Sequence, residues 1–359
     1  MKQYILFLVL FVSCMQARIK RPWRRRFIIK KSQQKKIFVK PTSPINNVKQ
    51  KKSTNKKATS VATYDLSGKC SVVTYELNGG RFGDNLSSYC RAVWIAYQHN
   101  IPLLYKLFKY SKRLALNNYG FPMNKKVGSR FKRKIIIPNH NRYDIIKNSG
   151  ILYIVGWKSK VPVDWRNKKF VALLKKCVTL PFLSSRFLSS GIKIPPHHIS
   201  VAVHIRTGGD YGPDKKIRSR QPKRFAPHQF YIDQIKRIQS MFEGSDLYVH
   251  IFTDDAKPMA LVKKFKQQLG DEHITYGCRQ QGNNFHTNVL EDFFAMTTFD
   301  CLIRPESLYS MYAERLGSHK VVIYPVRTGP AGRRRKIAVR EIAIKQQTRQ
   351  GYVTKKVRV

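Results

Sequence analysis

The sequence predicts an α/β protein built on parallel sheet. In the C-terminal half, short apolar strand-like segments alternate with amphipathic helical segments, as in parallel strands joined by right-handed helical crossovers. Near residue 71, a strand-like segment precedes a glycine-rich turn and a helical apolar stripe, which is the first unit of a Rossmann-like domain. Another strand-like segment starts at Ser200 and stops at Gly208 and Gly209. Because open α/β sheets bind ligands beyond the carboxyl ends of their strands, the loops after these strands form the candidate site.

Composition bounds the size of the fold and the kind of partner. A chain of 359 residues is long enough for two domains. Its charge is unusual, since 69 Lys and Arg face only 20 Asp and Glu. Such an excess predicts affinity for anions, whether nucleic acid, an anionic membrane, an acidic glycan or a nucleotide-sugar. The sequence has no helix-turn-helix, zinc-finger or aromatic RNA-binding signature, so no specific nucleic-acid partner is expected.

The first sixty residues are predicted to lie outside the folded part. Residues 1–17 carry a lysine and then an apolar run that ends in a small residue, as in a signal peptide or short anchor. Residues 18–60 are basic and contain no acid, which predicts a disordered linker able to touch an anionic membrane surface near Trp23. The expected location is secreted or membrane-associated, although the basic flank opposes the usual positive-inside orientation.

The cysteine spacing gives no sign of a metal site, and no cofactor is expected. Five cysteines follow the signal-like segment, and no two of them form a CxxC pair, which predicts neither a disulfide framework nor a zinc site. Cys90 and Cys301 lie in apolar runs and are expected to be core thiols. Asp254 and Asp255 are the one paired carboxylate at a predicted strand end, and they are the weak candidate for holding a cation.

Residues 61–195 are predicted to form a first Rossmann-like domain. Its first strand spans 71–76, and Asp84 or Asn85 is the expected cap of the helix after the glycine-rich turn. Apolar residues then recur at helical spacing from 86 to 97. Further strands are predicted at 101–105, 134–137 and 151–157, a helix at 173–181, and a Lys-rich surface insertion at 110–134.

A second Rossmann-like domain is predicted over 196–328, after the boundary marked by Pro195 and Pro196. Its central strand begins at Ser200 and is followed by a basic loop at 215–224. The predicted helices are 227–242, 257–269, 289–298 and 307–316, and the further predicted strands are 247–253, 273–277, 300–303 and 320–324. Residues 329–359 are a basic tail that is expected to fray.

The loop after the central strand contains the strongest candidates for chemistry. Arg206 offers a forked cation suited to phosphate, and the two glycines after it permit close backbone approach. Asp210 adds a carboxylate, and we consider it the candidate base or orienter for a substrate hydroxyl. The ordinary alternative is a strand end with a surface turn and a local ion pair.

Two other positions complement this loop, and each also has an ordinary structural explanation. Ser307, at a predicted helix start, would place a hydroxyl and helix N–H groups near an anion, or it is simply an N-cap. Asp292 could accept hydrogen bonds from a guanine edge, or it is an acid favoured early in a helix. His204 is either a ligand-binding group or a core histidine with one satisfied nitrogen.

Four blocks of the sequence, read in chain order, resemble the motifs of one known family. HIRTGGDYG at 204–212 resembles the signature H-x-R-R-G-D-Y, and GGRFGDNLSSYCRA at 79–92 resembles the segment G-R-L-G-N-Q-x-x-x-Y-x-x-A. EDFFAMTTFDCLIRPESLYSMYAERL at 291–316 resembles a third, serine-containing block, and IFTDD at 251–255 resembles the strand between the second and third blocks. These motifs are those of the α-1,2-fucosyltransferases, within the GDP-fucose-dependent fucosyltransferase superfamily. The resemblance covers residues 72–327.

The resemblance implies a glycosyltransferase with two Rossmann-like domains facing across a cleft, the GT-B architecture. It implies transfer of fucose from GDP-fucose to a glycan hydroxyl with inversion, through an α-1,2 linkage and without a metal. In the superfamily, the positions matching Arg206 and Ser307 contact phosphate, and those matching His204 and Asp292 contact guanine. The glycine-rich loop would lie opposite, near the acceptor, with Gly80, Arg81, Gly83 and Asn85.

The sequence also departs from the family pattern. Thr207 stands where the signature has its second arginine, and an extra glycine precedes Asp210. Glu306 would repel a diphosphate unless it points away, and Arg304 is the candidate replacement for the lost charge. These departures leave the donor sugar and the linkage open. The alternatives are a protein that binds nucleic acid or another polyanion, and a glycan-binding relative that transfers no sugar.

Overall fold

The structure, a computed structural model, describes residues 66–138, 144–180, 192–207, 219–270, 272–280, 283–284, 286–331 and 336–359. The predicted signal-like segment at 1–17 and linker at 18–60 lie outside these ranges, as do Gly208, Gly209 and the candidate base Asp210. Within the described ranges, no helix is long and apolar enough to cross a membrane.

The N-terminal part is built on a three-stranded parallel sheet. Its strands lie in the order β1 (Val72–Tyr75), β5 (Ile151–Val155) and β4 (Arg133–Ile137). The short strands β2 (Leu104–Tyr105) and β3 (Phe121–Pro122) form a separate two-stranded sheet. All six elements predicted for this part, four strands and two helices, are present with shifted ends. The helices are α1 (Phe82–His99), the single turn α2 (Lys125–Gly128) and α3 (Lys168–Cys177).

Helix α1 begins earlier than predicted, so the prediction that Asp84 or Asn85 caps it is wrong. Arg81 is the N-cap, and the Asp84 carboxylate reaches back to accept a hydrogen bond from the Arg81 amide at 3.2 Å. In a capping box, an acid three residues after the N-cap accepts a hydrogen bond from the N-cap amide. Asp84 is such an acid, so it lies inside the first turn of α1 and is not the N-cap. Asn85 instead donates from Nδ2 to the Gly80 carbonyl at 2.8 Å.

The C-terminal part is built on a seven-stranded sheet in the order β12-β11-β10-β9-β6-β7-β8. The pairings from β10 to β8 are parallel, which confirms the predicted α/β class with parallel sheet. Its strands are β6 (Ile199–Ile205), β7 (Leu247–Thr253), β8 (Ile274–Cys278), β9 (Cys301–Ile303), β10 (Val321–Ala331), β11 (Lys336–Thr348) and β12 (Gly351–Arg358). Its helices are α4 (His228–Met241), α5 (Pro258–Leu269), α6 (Val289–Met296) and α7 (Leu308–Leu316).

The prediction that the chain frays from residue 329 is wrong. Strands β11 and β12 extend the sheet as an antiparallel meander. Ile342 and Ile344, two residues apart on β11, are buried on one face, as the two-residue period of a strand requires. Ala343 between them is buried too, and basic residues on either side of this short apolar run, Arg340 and Lys345, hide it in the composition. Residues 110–134 are likewise more than a surface insertion, because Leu116 and Phe131 are buried.

One hydrophobic cluster contains residues from both sheets, including Val73 of β1 and Leu302 of β9. Helices α1 and α7 pack against each other at its centre. Cys90 and Cys301 are fully buried, which confirms the predicted core thiols. The proposed domain boundary near residue 195 stays a prediction. This shared packing places the ends of the β1 and β6 sheets around one cavity.

Candidate functional site

A cavity of about 760 Å³ lies beyond the carboxyl ends of the strands. Its walls are the loop after β1, the ends of β6 and β7, the segment before α6 and the segment between β9 and α7. All four predicted donor-binding residues line it, although they come from segments about a hundred residues apart. Those residues are His204, Arg206, Asp292 and Ser307, and Gly80, Arg81 and Gly83 line the same cavity.

His204 is the second-last residue of β6. It lines the cavity, as a ligand-binding group would, and it is also a histidine with one satisfied ring nitrogen. Its Nδ1 lies 2.7 Å from the Ser310 hydroxyl of α7, so one ring nitrogen is satisfied. The ring packs beside Tyr309, with centroids 5.6 Å apart. Burial lowers the pKa of His204 to about 4, with Asp254 opposing the shift and Arg206 contributing to it. The ring is therefore neutral near pH 7 and can act there as an uncharged hydrogen-bonding group.

Arg206 and Thr207 are the first residues beyond β6. The Arg206 guanidinium lies over the Phe225 ring, 5.7 Å from its centroid, on the cavity wall. The amide and the hydroxyl of Thr207 both donate to Asp254 Oδ1, at 2.7 and 2.8 Å. The residue that stands where the family motif has an arginine therefore ties the end of β6 to the end of β7.

Asp254 joins the two sheets at the cavity. Besides accepting from Thr207, its Oδ2 lies 4.0 Å from Arg81 Nη1, in the loop after β1. Its neighbour Asp255 accepts a hydrogen bond from the Lys257 amide at 2.8 Å. Both carboxylates thus have protein partners. Across the described ranges, no three His, Cys, Asp or Glu side chains converge as a metal site would need.

Asp292 lies in the first turn of α6 and is paired with Arg279, whose Nη2 is 2.6 Å from Asp292 Oδ1. Burial raises the pKa of the Asp292 carboxyl, while the hydrogen bond and the charge of Arg279 oppose that rise. The adjacent Glu291 pairs with Arg113 at 2.7 Å. Arg279 was missed in the sequence analysis, although its place directly after β8 is the same strand-end signal that singled out Arg206.

In the segment between β9 and α7, Arg304 does not have the place that the sequence analysis expected. Ser307 is the N-cap of α7, and its side chain makes no capping hydrogen bond. Glu306 pairs with Lys223 at 3.2 Å and is largely exposed, so its charge is directed to a cation at the rim. Arg304 is buried and held by Glu314 at 2.6 Å, over the Tyr324 ring. That pairing argues against Arg304 as a replacement ligand for a diphosphate.

Gly80 in the loop after β1 and Gly83 in the first turn of α1 serve packing. A Cβ atom on Gly83 would lie 2.6 Å from the Tyr309 amide nitrogen, so glycine is needed where the N-termini of α1 and α7 touch. A Cβ on Gly80 would lie 2.9 Å from Asp84 Oδ2. Asn85 is buried behind the loop and does not line the cavity, in contrast to its predicted place on the acceptor side.

A group of cavity-lining residues carried no signal in the sequence. Tyr110 donates its hydroxyl to the His286 carbonyl at 2.7 Å, and Lys109 Nζ lies 3.0 Å from His286 Nδ1. These contacts join the region read as a surface insertion to the segment before α6. Because the partners are more than 170 residues apart and belong to no motif, local patterning could not pair them.

Comparison with known proteins supports the fold. A mutant of FUT1 from Arabidopsis thaliana in complex with GDP has 12% identity and a TM-score of 0.50, over 72% of this chain and 71% of that chain. The fucosyltransferase NodZ from Bradyrhizobium has 13% identity and a TM-score of 0.46, over 72% and 95%. NodZ alpha-1,6-fucosyltransferase soaked with GDP-fucose has 14% identity and a TM-score of 0.43, over 72% and 95%. No protein-family model and no curated protein sequence matches the chain. The likeness to the Arabidopsis structure shows that the two chains share an α/β fold.

Proposed function

We propose that this protein is a glycosyltransferase that moves fucose, or a related sugar, from GDP-fucose to a hydroxyl of a glycan, with inversion and without a metal. One observation carries the proposal: His204, Arg206, Asp292 and Ser307, singled out from the sequence as donor ligands, line one cavity. The motif resemblance and the fold shared with an enzyme solved with GDP support the same conclusion.

In this proposal the diphosphate binds between β6 and α7. Arg206 offers two parallel N–H donors to a β-phosphate, and the N-terminus of α7 at Ser307 presents unpaired backbone N–H groups to the anion. The Ser307 hydroxyl makes no capping bond, so it is available to a phosphate oxygen. Negative charge that develops on the leaving GDP is stabilised by these donors, which are fixed in place before the reaction.

Guanine binds beside α6 in the same proposal. An ionised carboxylate accepts from the N1–H and N2–H₂ groups of guanine, and Arg279 favours the ionised form of Asp292. His204, neutral at pH 7, faces the same cavity. The glycine-rich loop after β1 is the acceptor side, and we assign the two sheets to the two halves of a GT-B architecture. We place the linkage at α-1,2 from the set of sequence motifs that resemble that family. Export through residues 1–17 belongs to the proposal on sequence grounds.

A binding experiment tests this function and separates it from the polyanion-binding alternative. Full-length protein is titrated with GDP, UDP and ADP while its thermal unfolding is followed. A nucleotide at a hundred times its dissociation constant adds about 2.7 kcal/mol of stability. We expect stabilisation by GDP and GDP-fucose and little by UDP or ADP. Stabilisation by short DNA with a steep salt dependence, and none by GDP, would instead favour a polyanion-binding protein.

A further inference from the structure

We propose that Asp84 is the catalytic base that takes the proton from the acceptor hydroxyl, an inference that rests on the proposed function. Four described acidic side chains line the cavity: Asp84, Asp254, Asp292 and Glu306. Three of them are bound to other side chains. Asp254 is held by Thr207 and Arg81, Asp292 by Arg279 and Glu306 by Lys223.

Asp84 differs from these three because its bond is to backbone. Its Oδ2 accepts from the Arg81 amide at 3.2 Å, while no described side chain forms an ion pair with it. One carboxylate oxygen is thus anchored and the other remains for a substrate hydroxyl. Gly80 leaves the space in which Oδ2 lies, since a Cβ there would come within 2.9 Å of that oxygen. The carboxylate is therefore positioned by the loop before any substrate arrives.

The position of Asp84 also suits the reaction. Its neighbour Gly83 touches the N-terminus of α7 at Leu308 and Tyr309, next to Ser307, where the donor phosphates are proposed to bind. Asp84 therefore faces the cavity from the β1 side, while the diphosphate ligands Arg206 and Ser307 face it from the β6 side. An acceptor held between the two sides would have its hydroxyl proton near the Asp84 carboxylate and its hydroxyl oxygen toward the anomeric carbon of the sugar.

The step proposed for Asp84 is a single displacement. The acceptor oxygen attacks the anomeric carbon, its proton passes to the Asp84 carboxylate, and the bond from that carbon to the β-phosphate oxygen breaks. GDP leaves with the electron pair of the broken bond, and its β-phosphate is held by Arg206 and the α7 N-terminus. The protonated carboxyl then returns its proton to water.

The test compares Asp84→Asn with Asp210→Asn, and uses Asp233→Asn as the matched control on the outer surface of α4. Asn keeps an oxygen that can accept from the Arg81 amide, so the loop is expected to keep its shape. We expect Asp84→Asn to slow GDP release from GDP-fucose, with water or lactose as acceptor, by about 10²–10⁴-fold, the usual contribution of a general base. GDP affinity should be unchanged.

Azide separates a catalytic role from a structural one. Azide carries no proton, so it attacks the anomeric carbon without a base and yields fucosyl azide and GDP. We expect sodium azide to restore GDP release in Asp84→Asn and in Asp84→Ala. Lost GDP affinity, or no restoration by azide, would make the role structural and overturn the inference.

The remaining outcomes distinguish this inference from the proposed function. If the unmodified protein releases GDP from GDP-fucose and Asp84→Asn matches Asp233→Asn, Asp84 is not the base while the transferase assignment stands. A loss confined to Asp210→Asn and restored by azide would assign the base to Asp210. If the unmodified protein neither binds GDP nor consumes GDP-fucose, the proposed function itself fails and the base assignment falls with it.

Discussion

The charges at the cavity are arranged in pairs that fix their side chains. Asp292 with Arg279 and Asp254 with Arg81 are each held within 4.0 Å. A side chain that is already held loses little conformational entropy when a ligand binds. The first pair therefore pre-orients Asp292, the proposed guanine ligand, and the second holds the loop after β1 beside the end of β7. Because Asp292 and Asp254 are engaged in these pairs, fewer acidic side chains at the cavity remain to accept a proton from a substrate.

Arg206→Ala is predicted to weaken GDP binding at least tenfold and to abolish transfer while the fold stays intact. A hydrogen bond to a charged group is worth about 1.5–3 kcal/mol, and a forked arginine makes two of them to one phosphate. Calorimetric titration with GDP measures the loss, and thermal unfolding checks the fold. Arg166→Ala is the control, because that arginine is almost fully exposed and pairs with Asp164 in its own turn. Equal GDP affinity in both variants would remove Arg206 from the donor site.

Asp292→Asn is predicted to abolish discrimination between GDP and inosine diphosphate, which lacks the N2 amino group. An ionised carboxylate accepts from both N1–H and N2–H₂, so we expect the unmodified protein to prefer GDP by roughly tenfold, one hydrogen bond of about 1–2 kcal/mol. Asparagine offers a single acceptor oxygen and loses the preference. Competition between the two nucleotides measures it. An unmodified protein that binds both equally well would contradict the proposed guanine contact.

Residue chemistry at strand ends was predictable, and partners distant in the chain were not. Arg206 and Ser307 were singled out because a cation after a buried strand and a hydroxyl at a helix start are local patterns. Arg279 carries the same local signal and was overlooked. The contact between Lys109 and His286 spans 177 residues and follows from the packing of the whole chain. No pattern within a short window records such a contact.

At the scale of elements, helix and strand periodicity located the second sheet well. Strand β7 was predicted at its observed ends, because Leu247–Thr253 is a short, mainly apolar run rich in β-branched and aromatic residues, as buried strands are. Predictions were wrong where a residue type that is typical of one structural position also occurs at another. Asp84 caps from inside the helix, and the basic residues of β11 and β12 predicted a frayed tail although both strands pair in the sheet and Ile342, Ala343 and Ile344 are buried.

Gly83→Ala is predicted to separate α1 from α7. The added Cβ would meet backbone atoms of Leu308 and Tyr309 at 3.0 Å or less, and backbone cannot turn aside as a side chain does. Overpacking of this kind costs about 1–3 kcal/mol, so we expect a lower urea midpoint together with weaker GDP binding. Gly156→Ala is the control, since a Cβ there meets its nearest atom at 3.6 Å. Unchanged stability and affinity in Gly83→Ala would show that the two helices are free to move apart.

Glu314→Gln is predicted to be among the most destabilising changes outside the cavity. Glu314 on α7 is buried and pairs with Arg304 after β9 and with Lys345 on β11, so it ties the meander to the segment beside the cavity. Removing one partner of a buried pair costs about 3–5 kcal/mol, because the remaining charges lose their compensation. Chemical denaturation measures the cost, with the exposed Glu243→Gln as control. A loss no larger than that of the control would show that the network carries little stability.

At the scale of the whole molecule, aromatic packing joins the two sheets into one core. Phe82 of α1 packs edge-on against Phe293 of α6 at 5.1 Å, and both are almost completely buried. Trp165 packs against Tyr312 of α7 at 5.7 Å. The sequence predicts the apolar faces that meet here, but it does not predict which face meets which. That choice is made by the assembled chain, and it is what brings the loops after β1 and β6 to one cavity.

Buried histidines make the stability of the whole fold depend on pH. His250 lies in the core beside Phe252 and Phe299, and burial lowers the pKa of its ring from 6.5 to about 4. The unfolded chain therefore binds a proton near pH 6.5 that the folded chain refuses until about pH 4. Stability is full above about pH 6.5 and falls as pH drops through this window. The shift corresponds to about 3 kcal/mol for His250, and burial lowers the pKa of His319 in the same direction.

Urea unfolding at about pH 7.5, 5.5 and 4.5 measures this loss, and His250→Gln isolates the contribution of one ring. Glutamine does not titrate and keeps a polar atom for the Tyr248 hydroxyl, which lies 3.0 Å from His250 Nδ1. We expect the variant to be less stable at pH 7.5 and to lose less stability on acidification, so that the two curves converge toward pH 4.5. Parallel curves would mean that His250 takes up its proton equally well in the folded and unfolded chains. The acid sensitivity of the fold would then have to come from other groups whose folded pKa is lowered, among them His204, His319 and Glu314.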